Sequence, residues 1–585
     1  MFRAIFGCQH EVKNCIVKKI RIKKPKHLTA IGLNRYALGS DMMFTGCYHR
    51  LLKFLAVCGL LLAAASCTLV EKRIDRTADG PNVPADTAVH LRLEPKGQTE
   101  EIAAPAVPPG PLKITITEAI LLCLENNRSL VVQRLNPAIQ QTAEEQERAV
   151  FDPAISADVS AGRVKGERLA RSGSETEDFT TDAAEGIISL EQYFPTGTTV
   201  ALEAGSQMDD SSLYESSFFA SRLGMTVTQA LLRGFGTDVN LARLQQARLD
   251  TRMSEYELRG FTEFLVADVE RTYWDFALAR RQIEIVEESL KVARQQLNET
   301  RELIDVGRMA KAELAAVQAE VAAQEQALIE ARANKESIRL QLLRLLNPAG
   351  PGIWQRELDL IHQPTLPEIK LEDVELHVAV AMRMRQILNE ARLEILRGDL
   401  DLVQTQKGLL PLMDLFITLG KSGYADSFGE SVSKIKKDSY DAMAGVRFNY
   451  PVFNRDAKAR HRRAQLTREQ AQKALENLSQ LVEVDVRTAY IEVNRTKQQI
   501  AASSATRMFD EEKLRSETEK LRVGKSTSFL VAQAQRDLLV SRIAEVRALA
   551  NYLKALIDLY RQDGTLLERR RISAPGRDAV QLSNR

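Results

Sequence analysis

The stretch "ELIDVGRMAKAEL", Glu302–Leu314, places a single glycine inside a long helical pattern, and the chain repeats this arrangement 217 residues later. There, "KLRVGKSTSFLVA", Lys520–Ala532, sets Gly524 in register with Gly307. Glycine readily adopts the left-handed conformation that ends a helix in a tight turn. Because the Val-Gly-basic break recurs in register, it predicts the tips of two helical hairpins rather than a glycine tolerated within one continuous helix.

Long helices are predicted on both sides of these breaks. No proline lies between Pro195 and Pro348 or between Pro451 and Pro575. A helix from about residue 238 to residue 305 would be roughly 100 Å long at the usual rise per residue. Its apolar residues recur at spacings of three, four and seven, which is the heptad pattern of a coiled coil. They are Val266, Val269, Tyr273, Phe276, Ile283, Val286, Leu290, Ala293, Leu297 and Ile304.

Further matches between the two halves indicate an internal duplication. "ADVERTYWDF" aligns with "VDVRTAYIEV", which again pairs residues 217 apart, such as Tyr273 and Tyr490. The sequence therefore divides into a first structural repeat at 113–348 and a second at 371–562. A proline-containing linker, 349–370, joins them, and 563–585 form a C-terminal tail.

A different pattern lies between the helices of each repeat. Alternating apolar residues predict two strands in the second repeat. They are Met413, Leu415, Ile417 and Leu419 in one strand and Val446, Phe448, Tyr450 and Val452 in the other. The segment from Pro153 to Ala230 spans 77 residues, whereas its counterpart from Pro411 to Pro451 spans 40, a surplus of 37. Alternating runs on both sides of Pro195-Thr196-Gly197 predict an additional hairpin in that surplus.

The N-terminal region predicts export. Residues 1–66 carry eleven Lys or Arg and two Asp or Glu, a charge of +9. Since the whole chain is at +2, the part from Cys67 onward carries −7, which argues against a nucleic-acid partner. An apolar run of about a dozen residues from Phe54, too short to span a bilayer, is typical of a secretory signal. Met42-Met43 is a more conventional start, so 1–41 are expected to precede the true translation start.

Small residues precede Cys67. The sequence Ala64-Ala65-Ser66-Cys67 is similar to a bacterial lipobox, in which the cysteine is lipidated after cleavage. Cys67 is therefore the predicted site of palmitate attachment, and an ordinary signal peptide cleaved nearby is the alternative. Residues 67–112, with seven prolines between Thr68 and Pro111, are predicted to form an extended, lipidated tether.

Strands with one apolar face on an exported chain suggest a β-barrel in the outer membrane. Two strands per repeat make four per chain, which cannot close a barrel, whereas three chains would supply twelve. The sequence contains no nucleophile motif or phosphate-binding loop, and the helical His377 and His461 lack ligand partners at i+3 or i+4. We therefore expect neither an enzyme nor a bound cofactor or metal.

The chain resembles the outer-membrane efflux family of TolC-like channels, specifically its lipoprotein branch, from Ile114 to about Gln562. The resemblance rests on "ITITEAILLCLENN", "TQALLRGFG", "NYPVFNRDAKAR" and both tips. It implies a mixed α+β, mainly α fold: a homotrimer with a shared twelve-stranded barrel, continuous with a long coiled-coil α-helical barrel. Such a channel is the exit duct of a tripartite system in the Gram-negative outer membrane. Its partners are a periplasmic adaptor and an inner-membrane RND or ABC transporter.

The resemblance also implies roles for residues near the tips. Gly307, Arg308, Gly524 and Lys525 would dock on the adaptor, although basic residues there also suit a helix C-terminus. Family members often carry aspartate rings six and nine residues after the second glycine, where this chain has Leu530 and Gln533. Gln533 and Glu313, the first-repeat counterpart of Leu530, are the candidate constriction residues. A solvated surface glutamate is the alternative for Glu313.

Two other functions stay open at this point. The outer-membrane component of a type I protein secretion system would have nearly the same sequence features. A periplasmic coiled-coil scaffold without a pore is the second alternative, and it would need neither the strands nor the duplication.

Overall fold

A computed structural model describes residues 111–582, apart from 170–172, 174, 213–215, 351, 362–365 and 367–370. The signal segment, Cys67 and nearly all of the tether lie outside the described residues. The elements are β1 (Leu112–Ile114), α1 (Ile116–Asn126), α2 (Arg128–Gln133), α3 (Leu135–Ala149), β2 (Ala154–Leu169), β3 (Thr176–Phe194), β4 (Thr198–Ser211), β5 (Phe218–Ala230), α4 (Thr237–Asn240), α5 (Ala242–Asp305), α6 (Glu313–Leu346), β6 (Leu358–Leu360), α7 (Val374–Met384), α8 (Gln386–Gly408), β7 (Leu412–Ala425), α9 (Phe428–Lys434), β8 (Tyr440–Asn449), α10 (Arg455–Arg522), α11 (Ser528–Gln562) and α12 (Leu566–Arg569).

The first helix begins with a capping box, as the Thr-x-x-Glu spacing indicates. The Thr115 hydroxyl accepts a hydrogen bond from the Glu118 amide at 3.2 Å, and the Glu118 carboxylate accepts one from the Thr115 amide at 2.8 Å. Cys123 of α1 is buried in the core. Burial raises the pKa of its thiol to about 12, so the thiol stays protonated at neutral pH.

The two predicted helical hairpins are present. Helices α5 and α6 fold back on each other at the first tip, and α10 and α11 do so at the second. Seven of the ten predicted heptad residues of α5 are buried, and Ile283, Leu297 and Ile304 are half-buried. The long helix starts at Ala242 and not near residue 238, because the predicted start lies in the separate short helix α4. The heptad pattern therefore identified the side of α5 that faces the core.

A two-stranded parallel sheet ties the start of the first repeat to the segment predicted as the linker. Strand β1 pairs with β6 in the register Leu112↔Leu358 to Ile114↔Leu360. Ile114, Leu358 and Leu360 belong to the main hydrophobic core together with residues of α5, α6 and α11. The linker is thus partly ordered by burial of alternate leucines.

The main sheet has six antiparallel strands in the order β2-β3-β4-β5-β7-β8. The expectation of four strands per chain was wrong, because the first repeat contributes four strands and the second contributes two. The surplus forms the β3–β4 hairpin, which turns at Pro195-Thr196-Gly197 as predicted. The two repeats meet where β5 pairs with β7, from Phe219↔Ala425 to Ala230↔Asp414.

The last strand is shorter than its alternation predicts. Strand β8 ends at Asn449, so Tyr450 and Val452 lie beyond it. Pro451 has no amide hydrogen to donate to a neighbouring strand, which ends the ladder here. Asn454 then takes a left-handed conformation just before α10 begins.

Within the described residues, no helix has both the length and the apolar character that crossing a membrane requires.

Candidate functional site

The first tip is a helix end closed by two backbone hydrogen bonds. Gly307 has φ +72°, its amide donates to the Ile304 carbonyl at 2.9 Å, and the Arg308 amide donates to the Leu303 carbonyl at 2.7 Å. This pair of bonds is the Schellman motif, which satisfies carbonyls that the end of a helix leaves free. The left-handed conformation is what requires glycine at position 307. Space does not require it, because added side-chain atoms would meet open space.

The second tip repeats this geometry. Gly524 has φ +73°, its amide donates to the Leu521 carbonyl at 3.0 Å, and the Lys525 amide donates to the Lys520 carbonyl at 2.8 Å. The prediction that both glycines end a helix in a turn is therefore confirmed.

Both tips expose the same two types of side chain. Arg308 and Lys525 are exposed, and the valines that precede the glycines, Val306 and Val523, are each 67% exposed. A valine and a basic residue at each tip form a small surface with apolar and cationic parts. We call these residues, with Gly307 and Gly524, the tip surface.

The two tips lie side by side, because the first hairpin caps a helix of the second. A Glu313 carboxylate oxygen accepts a hydrogen bond from the Ser528 amide at 2.9 Å, at the start of α11. The hydroxyl of Thr527 accepts a second, longer bond from the Leu530 amide at 3.4 Å. A carboxylate at a helix N-terminus satisfies a free amide and interacts favourably with the helix dipole.

A charge pair with a buried carboxylate supports this junction two helical turns further on. Glu320 of α6 is 1% exposed, and its carboxylate accepts from Arg536 of α11 and from Gln324, each at 2.7 Å. Removing Arg536 would leave the buried Glu320 carboxylate without its charged partner, whereas Arg536 itself is 44% exposed. The pair therefore fixes the register of one hairpin against the other.

The candidate constriction residues are in different surroundings. Glu313 is half-buried against α11, whereas Gln533 and Leu530 are exposed on the first turns of α11. The contact between Glu313 and Ser528 had no local signal in the sequence, since the two residues are 215 positions apart.

At the other end of the hairpins, one side of the six-stranded sheet is apolar. Cross-strand register places apolar side chains from all six strands on this side, which we call the apolar face. Most of them are exposed, up to 88% for Val159. The face includes Ile155, Val159, Ile188, Leu190, Leu202, Met208, Leu223, Met225, Ile417, Leu419, Val446 and Phe448.

Helix α9 continues the apolar face near the start of β5. Ser221 is directed to that face, and its hydroxyl lies 2.7 Å from the Ser431 hydroxyl of α9, where both residues are buried. On the same helix, Phe428 and Val432 are exposed. The helix thus covers a polar group of the sheet with apolar side chains.

The opposite side of the sheet is polar. Arg222 of β5 reaches Asp441 of β8 at 2.8 Å and lies 3.9 Å from Glu203 of β4. Thr226 and Thr418 form a hydroxyl pair across β5 and β7 at 3.2 Å. A sheet with one apolar and one polar face is the pattern of a barrel wall between lipid and water.

Both edges of the sheet are open in the described part of the chain. Strand β2 pairs only with β3, and β8 pairs only with β7. Nearly every residue of both strands is exposed. Free backbone groups at such edges can bond to another strand.

Two close carboxylates lie away from both the tips and the sheet. Glu257 of α5 and Glu390 of α8 line a cleft of about 440 Å³ together with Asp250 and Glu394. Burial, reinforced by the charge of Glu257, raises the pKa of Glu390 to about 7. The sequence carried no sign of this pair, since the two residues belong to different repeats.

This chain matches the family model described as outer membrane efflux protein over residues 119–348 and 381–565, which is more than half of its length. The chain belongs to the outer membrane efflux protein family. The match spans both helical hairpins and the six-stranded sheet. No curated protein sequence matches the chain.

Solved structures of outer-membrane channels share its fold. The OprN channel is 16% identical, with a TM-score of 0.58, over 77% of this chain and 90% of that one. The Campylobacter jejuni CmeC channel is 14% identical, with a TM-score of 0.58, over 83% and 94%. The open-state Neisseria gonorrhoeae MtrE channel is 18% identical, with a TM-score of 0.53, over 77% and 89%. At these identities the likeness supports the family's fold.

Proposed function

We propose that this chain forms the outer-membrane exit duct of a tripartite efflux system and conducts substrate passively to the exterior. The observation that carries the proposal is the six-stranded sheet, which has an apolar face and two open edges. Two of its strands, β5 and β8, lead into the two long helical hairpins. Such a sheet fits a lipid-facing wall completed by other copies, since a bilayer does not tolerate open sheet edges. A scaffold without a pore would not need this wall.

A homotrimer gives the open surfaces a partner. Only four of the 68 residues of α10 are buried in the single chain. Leu481, Val484 and Ile491 are exposed by 51%, 59% and 66%, and their spacing of three and seven places them along one side of the helix. In the proposed trimer a neighbouring copy covers this side.

The tip surface is the proposed docking site for the periplasmic adaptor. In a trimer, six tips form a ring in which Arg308 and Lys525 alternate. Charge reversal at both positions, Arg308→Glu with Lys525→Glu, is expected to abolish capture of the adaptor. Unchanged capture would mean that the two basic residues only complete their helices.

The constriction is proposed close to the same ring. Glu313 and Gln533 lie within the first turns of α6 and α11, where three copies would bring their side chains around a common axis. The energy for transport comes from an inner-membrane RND or ABC transporter, because the duct itself is proposed to act as a passive conduit.

Lipidation of Cys67 is proposed to anchor the N-terminus at the periplasmic side of the outer membrane of a Gram-negative bacterium. Metabolic labelling with palmitate tests this directly. Labelling is expected for the wild-type chain and not for Cys67→Ala, and equal labelling of both would remove the lipoprotein assignment.

Reconstitution of the purified protein in planar bilayers tests the channel. Trimers that conduct ions are the expected result, and a monomeric, silent preparation would contradict the proposal. Ile491→Asp places a charge on the exposed side of α10 and is expected to shift trimers toward monomers. Arg515→Asp, an exposed position on the same helix, serves as a matched control.

A further inference from the structure

The β3–β4 hairpin is an integral part of the sheet. Strand β3 pairs with β2 from Ala154↔Glu191 to Leu169↔Thr176, and β4 pairs with β5 from Thr198↔Gln229 to Asp209↔Phe218. The hairpin therefore separates β2 from β5 along the whole of their length.

The same hairpin carries the apolar face. Ile188 and Leu190 of β3 and Leu202 of β4 are aligned with Ile155 of β2 and Leu223 of β5 on that side. On this side of the hairpin, charged residues occur only toward the end of the strands that is far from the Pro195–Gly197 turn. There Arg163 of β2 forms an ion pair with Asp182 of β3. The added strands thus meet the same environment as the strands that flank them.

The turn of the hairpin is fixed where the sheet passes into the helices. The Asn240 side-chain amide of α4 donates to the carbonyls of Pro195, Gly234 and Gly236 at 2.9–3.1 Å. In addition, the Ala230 amide donates to the Gly197 carbonyl at 2.9 Å. The turn of the hairpin therefore lies beside the end of β5, and β3 and β4 extend from there alongside the other strands of the sheet.

The directions of the edge strands allow copies to join. Successive strands alternate in direction across all six, so β2 and β8 run opposite to each other. The β8 edge of one copy can therefore pair with the β2 edge of the next in the same antiparallel manner as within the chain. Even the shortest strand of the six-stranded sheet, β8, has 10 residues, which is the length needed to span an outer membrane.

We propose that the barrel of this protein has eighteen strands, six from each of three copies, closed by pairing of β8 with the next copy's β2. This inference rests on the proposed trimeric channel and deepens it, because the family resemblance implies twelve strands. Barrel diameter grows roughly in proportion to strand number, so this barrel is about half again as wide as a twelve-stranded one. The extra width ends at the turn of the β3–β4 hairpin, because β2, β5, β7 and β8 each adjoin a helix at that level, whereas β3 and β4 adjoin only each other.

Electron microscopy of the full-length protein in lipid nanodiscs counts the strands. Eighteen strands in a three-fold wall are expected. A variant in which residues 176–211 are deleted, so that β2 leads directly to β5, is expected to remain trimeric with twelve strands. This deletion keeps the alternation of strand direction, since β2 and β5 also run antiparallel.

Engineered cysteines in a Cys123→Ser background test the neighbours of β2. Ala157→Cys is combined in turn with Ala442→Cys, Ala444→Cys and Val446→Cys, which share its face of the sheet. Disulfide-linked dimers on denaturing gels are expected for at least one combination. Ala157→Cys with Leu223→Cys is the control, because both lie in one cross-strand row with β3 and β4 between them.

The outcomes separate this inference from the proposed function. Eighteen strands with crosslinks from β8 to β2 support it. A conducting trimer with twelve strands and a disulfide between positions 157 and 223 overturns the strand count and leaves the channel intact. A monomer without a pore overturns both.

Discussion

The duplicated helices α5 and α10 have similar lengths, 64 and 68 residues, but very different surroundings. Twenty-four residues of α5 are buried, whereas only four residues of α10 are. Helix α5 is packed between α3, α6, α8 and α11, and α10 contacts mainly α11 and α8. Both repeats thus keep the long helix and its tip. They differ in the surroundings of that helix, because α5 is packed inside the chain and most of α10 is exposed.

Equivalent tyrosines offer the strongest test of this difference. Tyr273 of α5 is fully buried and its hydroxyl donates to the Ile114 carbonyl at 3.3 Å, whereas Tyr490 of α10 is half-buried. Tyr273→Ala is expected to lower the free energy of unfolding by about 3–5 kcal/mol, the usual cost of removing a buried aromatic ring. Tyr490→Ala is expected to cost less than half as much.

Thermal melting of the purified protein in detergent, with the yield of folded protein, measures both variants. Equal losses for Tyr273→Ala and Tyr490→Ala would break the comparison, since α10 would then be packed as tightly as α5. Phe substitutions at the two positions are the matched controls, because they keep the ring and remove only the hydroxyl.

The tips are the part of the duplication that did not diverge. Gly307→Ala and Gly524→Ala are each expected to cost about 1–2 kcal/mol, because alanine is strained in the left-handed conformation and no neighbouring atom adds a clash. Asparagine tolerates this conformation, as Asn347 and Asn454 do in this chain, so Gly→Asn controls should lose less. Melting curves test whether the two alanine variants lose the same stability. A loss of stability in only one of them would show that the two turns have different roles.

The next effect is confined to one tip. Helix α6 begins without a side-chain cap, whereas α11 begins with Thr527 and with Glu313 from the other hairpin. Glu313→Ala is expected to cost about 1 kcal/mol, typical of a lost N-cap. Hydrogen exchange of the Ser528 amide should rise roughly fivefold, since 1.4 kcal/mol is a factor of ten.

The matched control for Glu313→Ala is Glu330→Ala, which removes an exposed carboxylate from the same helix. It should leave exchange at Ser528 unchanged. Equal acceleration in both variants would mean that net charge, and not the cap, protects the amide.

The sequence specified features that depend on neighbours along the chain. The glycine turns, the Thr115–Glu118 capping box and the Pro195–Gly197 hairpin each have local signals that the structure reproduces. The number of strands was misjudged because the shorter second repeat served as the template for the first. The alternating runs around Pro195–Gly197 predicted the additional hairpin, but the count of four did not include its two strands.

Local sequence patterns could not predict contacts between distant segments. The bond from Ser528 to Glu313 joins the two repeats, and the Val580 amide of the C-terminal segment donates to Asn389 at 3.0 Å across 191 positions. Such contacts follow from how whole helices pack. Periodicity shows that a helix has a buried side but does not identify its neighbour.

Another expected effect depends on pH and on contact between the repeats. The pKa of Glu390 is raised from 4.5 to about 7, chiefly by burial and then by Glu257, so the folded chain holds a proton that the unfolded chain releases. Stability therefore falls as pH rises from about 4.5 to 7, and the penalty is complete above that range. Glu390→Gln is expected to raise the melting temperature at pH 8 more than at pH 5. Glu257→Gln, which removes only the secondary cause, should give a smaller gain with the same sign. Equal shifts at the two pH values would mean that Glu390 is ionised throughout, and that α8 does not bury it against α5.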